Sequence, residues 1–310
     1  MVETPSFKVL IINPNTSTHM TDALKPIVAR LNYNDIHFDY FTAPSEPVTL
    51  PDGKVIDGVP SINSGEDSVK SALHCRPFVT PLIPKYDAFL VACYSAHPLV
   101  GMLKARIAEL ETQARQSETG ALSVSGGEIS SKTRKYVTGI FESSISASLT
   151  LISAFQLEGY ESGRKFQAQD TFGIVTTGAV WKTELTKAVT SMLNGENVSK
   201  LFSLPSSSSS SSAPRFAGVE TTGLTAIELH DTPAEEVRRR MVDATEKLLK
   251  STSRPVRAVC LGCAGMAGME EAVRAGCVKA YGEKDGESVH IVDGVVAGVG
   301  WLVNACKARF

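Results

Sequence analysis

Two stretches, one in each half of the 310-residue chain, decide the fold: FLVACYSA at Phe89–Ala96 and VCLGCAGM at Val259–Met266. Each begins as an apolar run typical of a strand buried in a parallel sheet. Each then passes through a cysteine into small or polar residues, so Cys93 and Cys263 hold corresponding places. The sequence therefore predicts two related sheets, each presenting a cysteine at the carboxyl end of a strand.

The repeat extends beyond these two stretches. Ile11–Ser17 corresponds to Ile174–Val180, a strand that leads into a polar turn. Thr138–Ser148 corresponds to His290–Gly300, a strand followed by an acidic residue and a helix of small residues. The shared order predicts an α/β fold of two pseudo-symmetric domains, each a parallel sheet flanked by helices, with the active site in the cleft between them.

Hydrophobic periodicity places the individual elements. The predicted strands are Lys8–Pro14, Asp87–Tyr94, Phe172–Thr177, Arg257–Cys263 and Val289–Asp293, and the predicted helices are Thr18–Leu31, Ser143–Leu157, Val180–Leu193, Pro233–Lys250 and Gly294–Lys307. We assign residues 1–142 plus 289–310 to the first domain and residues 143–288 to the second. Residues 111–135 and the serine-rich residues 205–214 are too polar to pack, so both are predicted to be surface insertions, the second of them disordered.

The composition excludes several classes of protein. A formal net charge of -2 gives no electrostatic reason to expect a nucleic acid or an anionic membrane as partner. No run reaches the roughly 20 apolar residues of a membrane helix, and the first residues lack the pattern of a signal peptide. The 6 cysteines are scattered, unlike a disulfide framework. We expect a cytoplasmic enzyme for a small-molecule substrate and leave open whether it forms a homo-oligomer.

The position of the two cysteines has chemical meaning. Ligands of open α/β sheets bind beyond the carboxyl ends of the strands, where the following helix directs its N–H groups at the loop. We expect a cysteine there to have a lowered pKa. Two facing thiols suit the inversion of a stereocentre, because one side chain removes a proton while the other delivers one to the opposite face. Such a reaction needs no metal and no organic cofactor when carbonyl groups of the substrate hold the carbanion charge.

The segments around both cysteines resemble the motifs of the aspartate/glutamate racemase superfamily. Ala92-Cys93-Tyr94-Ser95-Ala96 is similar to its alanine-cysteine-asparagine-threonine-alanine motif, and Leu261-Gly262-Cys263 is similar to its leucine-glycine-cysteine motif. Residues 13–17 (NPNTS), 139–142 (GIFE) and 261–267 (LGCAGMA) resemble the hydantoin and allantoin racemase branch most closely. The resemblance implies a cofactor-independent racemase of 5-substituted hydantoins, with allantoin a natural candidate and Cys93 and Cys263 as the catalytic pair.

The resemblance also implies a set of substrate-binding residues. In the two turns these are Asn15, Thr16, Ser17, Thr176, Thr177 and Gly178; beside the cysteines they are Tyr94, Ser95, Ala264 and Gly265; and Phe141 is expected in the pocket wall. The turns contain no Arg or Lys, which favours a neutral cyclic ureide or a related carbon acid. One departure leaves the substrate open: Ala96-His97-Pro98 stands where hydantoin racemases often carry an aspartate and a proline.

Other interpretations compete for individual residues. Cys260 and Cys263 form a Cys-x-x-Cys pair, but Cys260 lies inside an apolar run and no second pair accompanies it, which disfavours a zinc or redox site. His97 either tunes the first thiol or is structural. Glu142 and Asp293 are explained by capping or charge pairing at a helix N-terminus.

Three functions stay open on this evidence. The first is the two-thiol racemase; the second is a racemase, decarboxylase or cis-trans isomerase of a free carboxylic acid on the same fold; the third is a non-catalytic metabolite sensor. Retention of both cysteines argues against the sensor, because binding alone does not need them.

Overall fold

The computed structural model describes residues 7–119, 134–152, 170–194 and 215–310. Strands and helices alternate along these ranges. In chain order the elements are β1 (Phe7–Asn13), α1 (Thr18–Arg30), β2 (Ile36–Thr42), β3 (Val48–Thr49), β4 (Val55–Ile56), α2 (Gly65–Val79), β5 (Ala88–Val91), α3 (Pro98–Thr119), β6 (Tyr136–Gly139), α4 (Ile140–Leu151), β7 (Thr171–Thr176), α5 (Val180–Asn194), β8 (Phe216–Thr221), α6 (Glu228–Asp231), α7 (Ala234–Lys250), β9 (Val256–Gly262), α8 (Glu270–Tyr281), α9 (Glu283–Glu287), β10 (His290–Asp293) and α10 (Gly294–Ala308), with 3-10 helices at Thr80–Lys85 and Ala264–Met266.

Two four-stranded sheets form the framework. The first has the order β2-β1-β5-β6 and the second the order β10-β9-β7-β8, and the strands that pair within each sheet are parallel. When β1 is matched with β7 and β5 with β9, the two orders are the same. The predicted fold class, α/β with two parallel sheets flanked by helices, is confirmed.

Strict alternation along the strands gives each sheet two buried faces. On β1, Val9 and Ile11 point into a core that also receives Phe172 and Ile174 of β7. Leu10 and Ile12 point to the other side, where residues of α2 and α3 cover the first sheet. One core is therefore continuous between the two sheets, and it fixes them relative to each other.

Helices α4 and α10 make this shared core. Each follows the last strand of one sheet directly, yet α4 packs on β9 and β10 while α10 packs on β5 and β6. The two helices also pack on one another. Helix α10 lies very close to both α4 and β5. A Cβ atom at Gly294 would lie 2.7 Å from the carbonyl oxygen of Ile140 in α4, and one at Gly298 would lie 2.5 Å from Cδ1 of Leu90 in β5.

The division into domains stays a prediction, and the elements of residues 289–310 lie against different sheets. Strand β10 pairs with β9 in the second sheet, whereas α10 packs on the first.

The predicted strands and helices agree with the structure to within a few residues, except at the polar segments. Helix α3 continues to Thr119, so the first part of the insertion predicted at 111–135 is helical, because Glu, Gln, Ala and Arg are strong helix formers. Helix α4 spans Ile140–Leu151 rather than Ser143–Leu157. Residues 120–133 of the first insertion and the serine-rich residues 205–214 lie outside the described residues. In the described ranges, no helix combines the length and the hydrophobicity needed to cross a membrane.

Gly294→Ala should lower the free energy of unfolding by about 1–3 kcal/mol, because the added methyl group forces α10 away from α4. Gly300→Ala in the same helix is the matched control. Its Cβ would lie 3.8 Å from the Tyr33 hydroxyl, so it should be neutral or stabilising by about 0.5–1 kcal/mol through helix propensity. Urea unfolding of both variants provides the measurement; equal stabilities would contradict the close packing of α4 and α10.

Candidate functional site

The turn after β1 is held rigid by its own polar side chains. The Asn13 amide donates to Oδ1 of Asn15 (3.1 Å), to the Ser17 carbonyl (2.9 Å) and to Oγ1 of Thr21 (3.0 Å). The Asn15 side chain accepts from the Ser17 backbone N–H at 2.9 Å, and Ser17 caps α1 by accepting from Met20 N–H. These local bonds explain why asparagine and serine form a fixed turn here.

Cys93 lies two residues beyond β5, in the loop that leads to α3. Its Sγ lies 3.5 Å from Oγ of Ser95. Burial by the surrounding protein raises the pKa of Cys93 to about 12, the Ser95 hydroxyl opposes that rise, and negative charge on Cys263, Glu142 or Cys75 adds to it. The thiol is therefore neutral until its proton is taken by a strong base or at high pH.

Cys263 occupies the corresponding place beyond β9 and differs in its partners. It caps the 3-10 helix Ala264–Met266, with Sγ accepting the Gly265 N–H at 3.4 Å. Burial raises the pKa of Cys263 to about 11, opposed by the N–H groups of Gly265 and Met266. The lowered cysteine pKa expected from the sequence is thus wrong for both thiols, because the cost of burying a thiolate exceeds the gain from the N–H groups.

Both cysteines line one cleft between the two sheets. It has an empty volume of about 390 Å³. Its wall is formed by Asn15, Met20, Ile62, Ala92, Cys93, Tyr94, Thr177, Trp181, Ala226, Gly262, Cys263 and Ala264. Among these described residues none belongs to the charged types Asp, Glu, Lys and Arg, so the described wall carries no charged side chain while both cysteines are thiols.

Six of the predicted site residues therefore meet in the cleft: Asn15, Cys93, Tyr94, Thr177, Cys263 and Ala264. The others lie around it and hold it. Thr16 donates its N–H to the Val59 carbonyl at 2.9 Å, and Thr176 donates its hydroxyl to the Gly262 carbonyl at 2.5 Å, tying β7 to the second cysteine motif. Ser17 caps α1, and Gly265 donates its N–H to Sγ of Cys263. The Gly178 carbonyl accepts from Trp181 N–H at 3.1 Å.

A layer of buried side chains packs behind the cleft wall. Phe141, expected in the pocket wall, is instead a core residue that meets the Tyr94 ring edge-on at 5.5 Å. The Tyr94 hydroxyl lies 2.8 Å from Oγ of Ser144. Cys260 is fully buried in the same layer, with its Sγ 3.1 Å from Oγ of Ser148. It faces this layer rather than the cleft.

His97 has a structural place. Its ring is buried, Nδ1 accepts the Leu99 N–H at 3.3 Å, and Nε2 lies 3.3 Å from Oγ of Ser71. Burial lowers the pKa of His97 to about 3, so the ring is neutral at physiological pH. It does not line the cleft.

The two acidic residues at corresponding positions differ. Asp293 caps α10, with Oδ1 accepting the N–H groups of Val295 (2.7 Å) and Val296 (3.2 Å), as the sequence predicts. Glu142 lies in the first turn of α4, but the N-cap is Gly139. Burial raises the pKa of Glu142 to about 7, and within the described residues its buried Oε2 has no hydrogen-bond partner.

Six residues of the cleft wall were missed by the sequence analysis. Ala92 and Gly262 are the neighbours of the two cysteines, so the motifs could have indicated them. Met20 and Trp181 lie in the first turns of α1 and α5, directly after the polar turns. Ile62 and Ala226 come from loops, and no local pattern marks them, because the course of a loop is set by tertiary contacts.

A family model described as Asp/Glu/Hydantoin racemase matches residues 9–108 and 127–301. The chain belongs to this family. Racemases are isomerases that act on small molecules, so the predicted enzyme class and the predicted relationship are confirmed.

Relatives and solved structures agree with this membership. Uncharacterized protein C1F7.10 of Schizosaccharomyces pombe is 28% identical over 300 residues, which cover 97% of this chain and 92% of that protein. Protein DCG1 of Saccharomyces cerevisiae is 25% identical over 271 residues, which cover 85% of this chain and 84% of that protein.

Two solved structures share the fold. The allantoin racemase of Klebsiella pneumoniae superimposes with a TM-score of 0.60 at 18% identity, covering 98% of this chain and 89% of that chain. The allantoin racemase AllR of Pseudomonas fluorescens superimposes with a TM-score of 0.57 at 19% identity, covering 97% and 91%.

The two thiols should differ in reactivity. At pH 8, limiting iodoacetamide should alkylate Cys263 before Cys93, because backbone N–H groups stabilise the Cys263 thiolate whereas neighbouring negative charges raise the pKa of Cys93. Peptide mass spectrometry reads out both sites, with Cys93→Ser and Cys263→Ser as references.

Glu142→Gln is the companion variant. The carboxyl group is ionised above its pKa of about 7, and its charge then raises the pKa of Cys93. Removing the charge should speed the labelling of Cys93 above pH 7, leave it unchanged at pH 6, and leave Cys263 unaffected. For the wild type, faster labelling of Cys93 than of Cys263 would contradict the predicted order of reactivity of the two thiols.

Proposed function

We propose that this protein is a cofactor-independent racemase of 5-substituted hydantoins, with allantoin a natural candidate, and that Cys93 and Cys263 transfer the proton. One observation carries the proposal: two cysteines from corresponding places in a repeated unit line one cleft. Membership of a racemase family supports the reaction type.

The proposed reaction needs one thiolate and one thiol. The thiolate takes the proton from C5 of the ring, and the electron pair of the C–H bond moves onto the adjacent carbonyl oxygen as an enolate. The opposite thiol then gives its proton to C5 from the other face and becomes the thiolate. The roles exchange with the direction of the reaction, and one proton exchanged between the thiols and solvent restores the starting state.

Burial has two opposite effects on such a pair. It makes the thiolate rare at neutral pH, and it makes each thiolate that forms a stronger base. Ionising both thiols at once is disfavoured further, because charge on Cys263 raises the pKa of Cys93. A thiolate that forms in the cleft is therefore accompanied by a protonated thiol, as a two-base reaction requires.

The neutral wall supports a neutral substrate. A free α-carboxylate buried without a cationic partner costs several kcal/mol, and among the described wall residues no Arg or Lys is present. A hydantoin ring presents carbonyl and N–H edges, which match amide and hydroxyl groups. The Asn15 amide is suited to a ring carbonyl, since its one acceptor among the described residues is the weak acceptor Sδ of Met20, at 3.3 Å.

Loss of optical rotation tests the function, with L- and D-enantiomers of allantoin and of several alkyl and aryl hydantoins, and with aspartate and glutamate as free-acid comparisons. The wild type should racemise a hydantoin in excess chelator. Cys93→Ser and Cys263→Ser should each reduce turnover at least about 10³-fold, because a serine hydroxyl is a far weaker base. Each variant should still exchange the C5 proton of one enantiomer with deuterated solvent.

Cys260→Ala is the matched control, since that thiol faces the core rather than the cleft. It should keep turnover within a few-fold of the wild type. Near-normal turnover in either Cys93→Ser or Cys263→Ser would overturn the two-base mechanism. Activity that disappears with chelator and returns with metal would overturn cofactor independence, and racemisation of a free amino acid alone would overturn the hydantoin assignment.

Turnover should rise with pH. Below the pKa of Cys263, about 11, the fraction of thiolate grows about tenfold per pH unit, so kcat/KM should rise with a slope near one on a logarithmic scale between pH 7 and pH 9. The rate of inactivation by iodoacetamide should follow the same slope, and a competitive hydantoin should slow it. A rate that falls across this range would contradict a thiolate base.

A further inference from the structure

Helix α2 turns one buried, largely polar face toward the turn after β1 and the loop after β5. Ser68, Ser71 and Cys75 are buried along this face. The Ser71 hydroxyl donates to the Pro14 carbonyl at 2.6 Å, and the Cys75 thiol donates to the same carbonyl at 3.4 Å. Helix α2 thus holds the turn after β1, and Ser68 contacts the loop that carries Cys93.

That contact completes a chain of hydroxyl groups behind the thiol. Oγ of Ser68 lies 3.2 Å from Oγ of Ser95, which lies 3.5 Å from Sγ of Cys93. Oγ of Ser68 also lies 3.1 Å from the Ser64 carbonyl, one turn earlier in the chain. A hydroxyl group has one proton, so Ser68 donates either to Ser95 or to Ser64.

We propose that Ser68 is a positioning residue that turns the Ser95 hydroxyl toward the Cys93 thiolate. When Ser68 donates to the Ser95 oxygen, the proton of Ser95 is directed to the sulfur. When Cys93 is a thiol, its S–H donates to Ser95 and the Ser68 proton returns to the Ser64 carbonyl. No proton leaves either serine, since only the two hydroxyl groups rotate. The inference rests on the proposed use of Cys93 as a base.

The electrostatic surroundings show why Cys93 needs this support. Its titratable neighbours are Cys263 in the same cleft, Glu142 on α4 and Cys75 on α2, and the charged form of each raises the pKa of Cys93. His97 in the same loop is neutral. Cys263, in contrast, receives two backbone N–H groups. The serine pair supplies the first thiolate with the donor that the backbone supplies to the second.

Ser68→Ala tests the role by a readout that needs no substrate. Without the orienting bond, the Cys93 thiolate loses part of its donor, so its alkylation by iodoacetamide at pH 8 should slow about three- to tenfold. Labelling of Cys263 should stay within about twofold. Because a racemase interconverts species of equal energy, kcat/KM should fall by a similar factor from both enantiomers.

A double-mutant cycle separates positioning from a general effect on structure. Ser68 acts through Ser95, so Ser68→Ala/Ser95→Ala should label Cys93 no more slowly than Ser95→Ala alone. Ser68→Thr keeps the hydroxyl and should restore the rate. Ser146→Ala is the matched control: this exposed helical serine also donates to the carbonyl four residues earlier, at 2.9 Å, and it should leave both thiols unchanged.

The outcomes distinguish this inference from the proposed function. Unchanged Cys93 labelling in Ser68→Ala, or additive effects in the double mutant, overturns the role of Ser68 and leaves the racemase intact. Equal slowing of both cysteines together with a lower melting temperature also overturns it, since that result indicates a structural role. Normal turnover in Cys93→Ser overturns the racemase mechanism itself, whatever the labelling shows.

Discussion

The packing of α4 on α10 is the contact on which the rest of the structure depends. Each helix starts at the end of one sheet and packs on the other, so the two halves share one core instead of meeting at a surface. The close approach needs glycine at Gly294, where any side chain would meet the Ile140 backbone. Since β5 lies beneath α10 and β9 beneath α4, this contact also sets how the loops carrying Cys93 and Cys263 face each other.

The strands of the two halves correspond, but the groups that hold the two cysteines differ. In the first half, α2 holds the turn after β1 and the Cys93 loop through side chains, above all Ser68 and Ser71. In the second half, backbone N–H groups of a 3-10 helix hold Cys263 directly. The two thiols therefore occupy equivalent places in different electrostatic surroundings. In the proposed mechanism the two cysteines exchange roles, and the side-chain support of Cys93 would bring its basicity closer to that of Cys263.

An element can be predicted from the sequence when its buried residues form a recognisable pattern of apolar side chains. Strands β1, β5, β7 and β9 are continuous apolar runs, so their positions and the places of both cysteines follow directly from the pattern. Helix α2 was missed, because most of its buried residues are small or polar; the buried residues are Gly65, Ser68, Ser71, Ala72, His74, Cys75 and Val79. The same polar face carries the contacts to the first turn and to Cys93. The direction of the cysteine pKa shifts was also beyond the sequence, since a strand end indicates N–H donors but not the depth of the cleft.

The burial of the thiols and the lack of charged side chains in the described wall favour the same kind of substrate. A buried thiolate is costly, and a charged substrate without a partner would add a second cost in the same cavity. A ring that carries no charge at rest avoids the second cost and gains charge only as the proton leaves C5. In the proposed reaction the thiolate becomes a neutral thiol at that moment, so one negative charge moves from one sulfur to the ring oxygen and then to the other sulfur. In the proposed mechanism, the site therefore needs to accommodate one charge at a time, which explains how a cleft whose described wall offers thiol, hydroxyl and amide groups is sufficient for the chemistry.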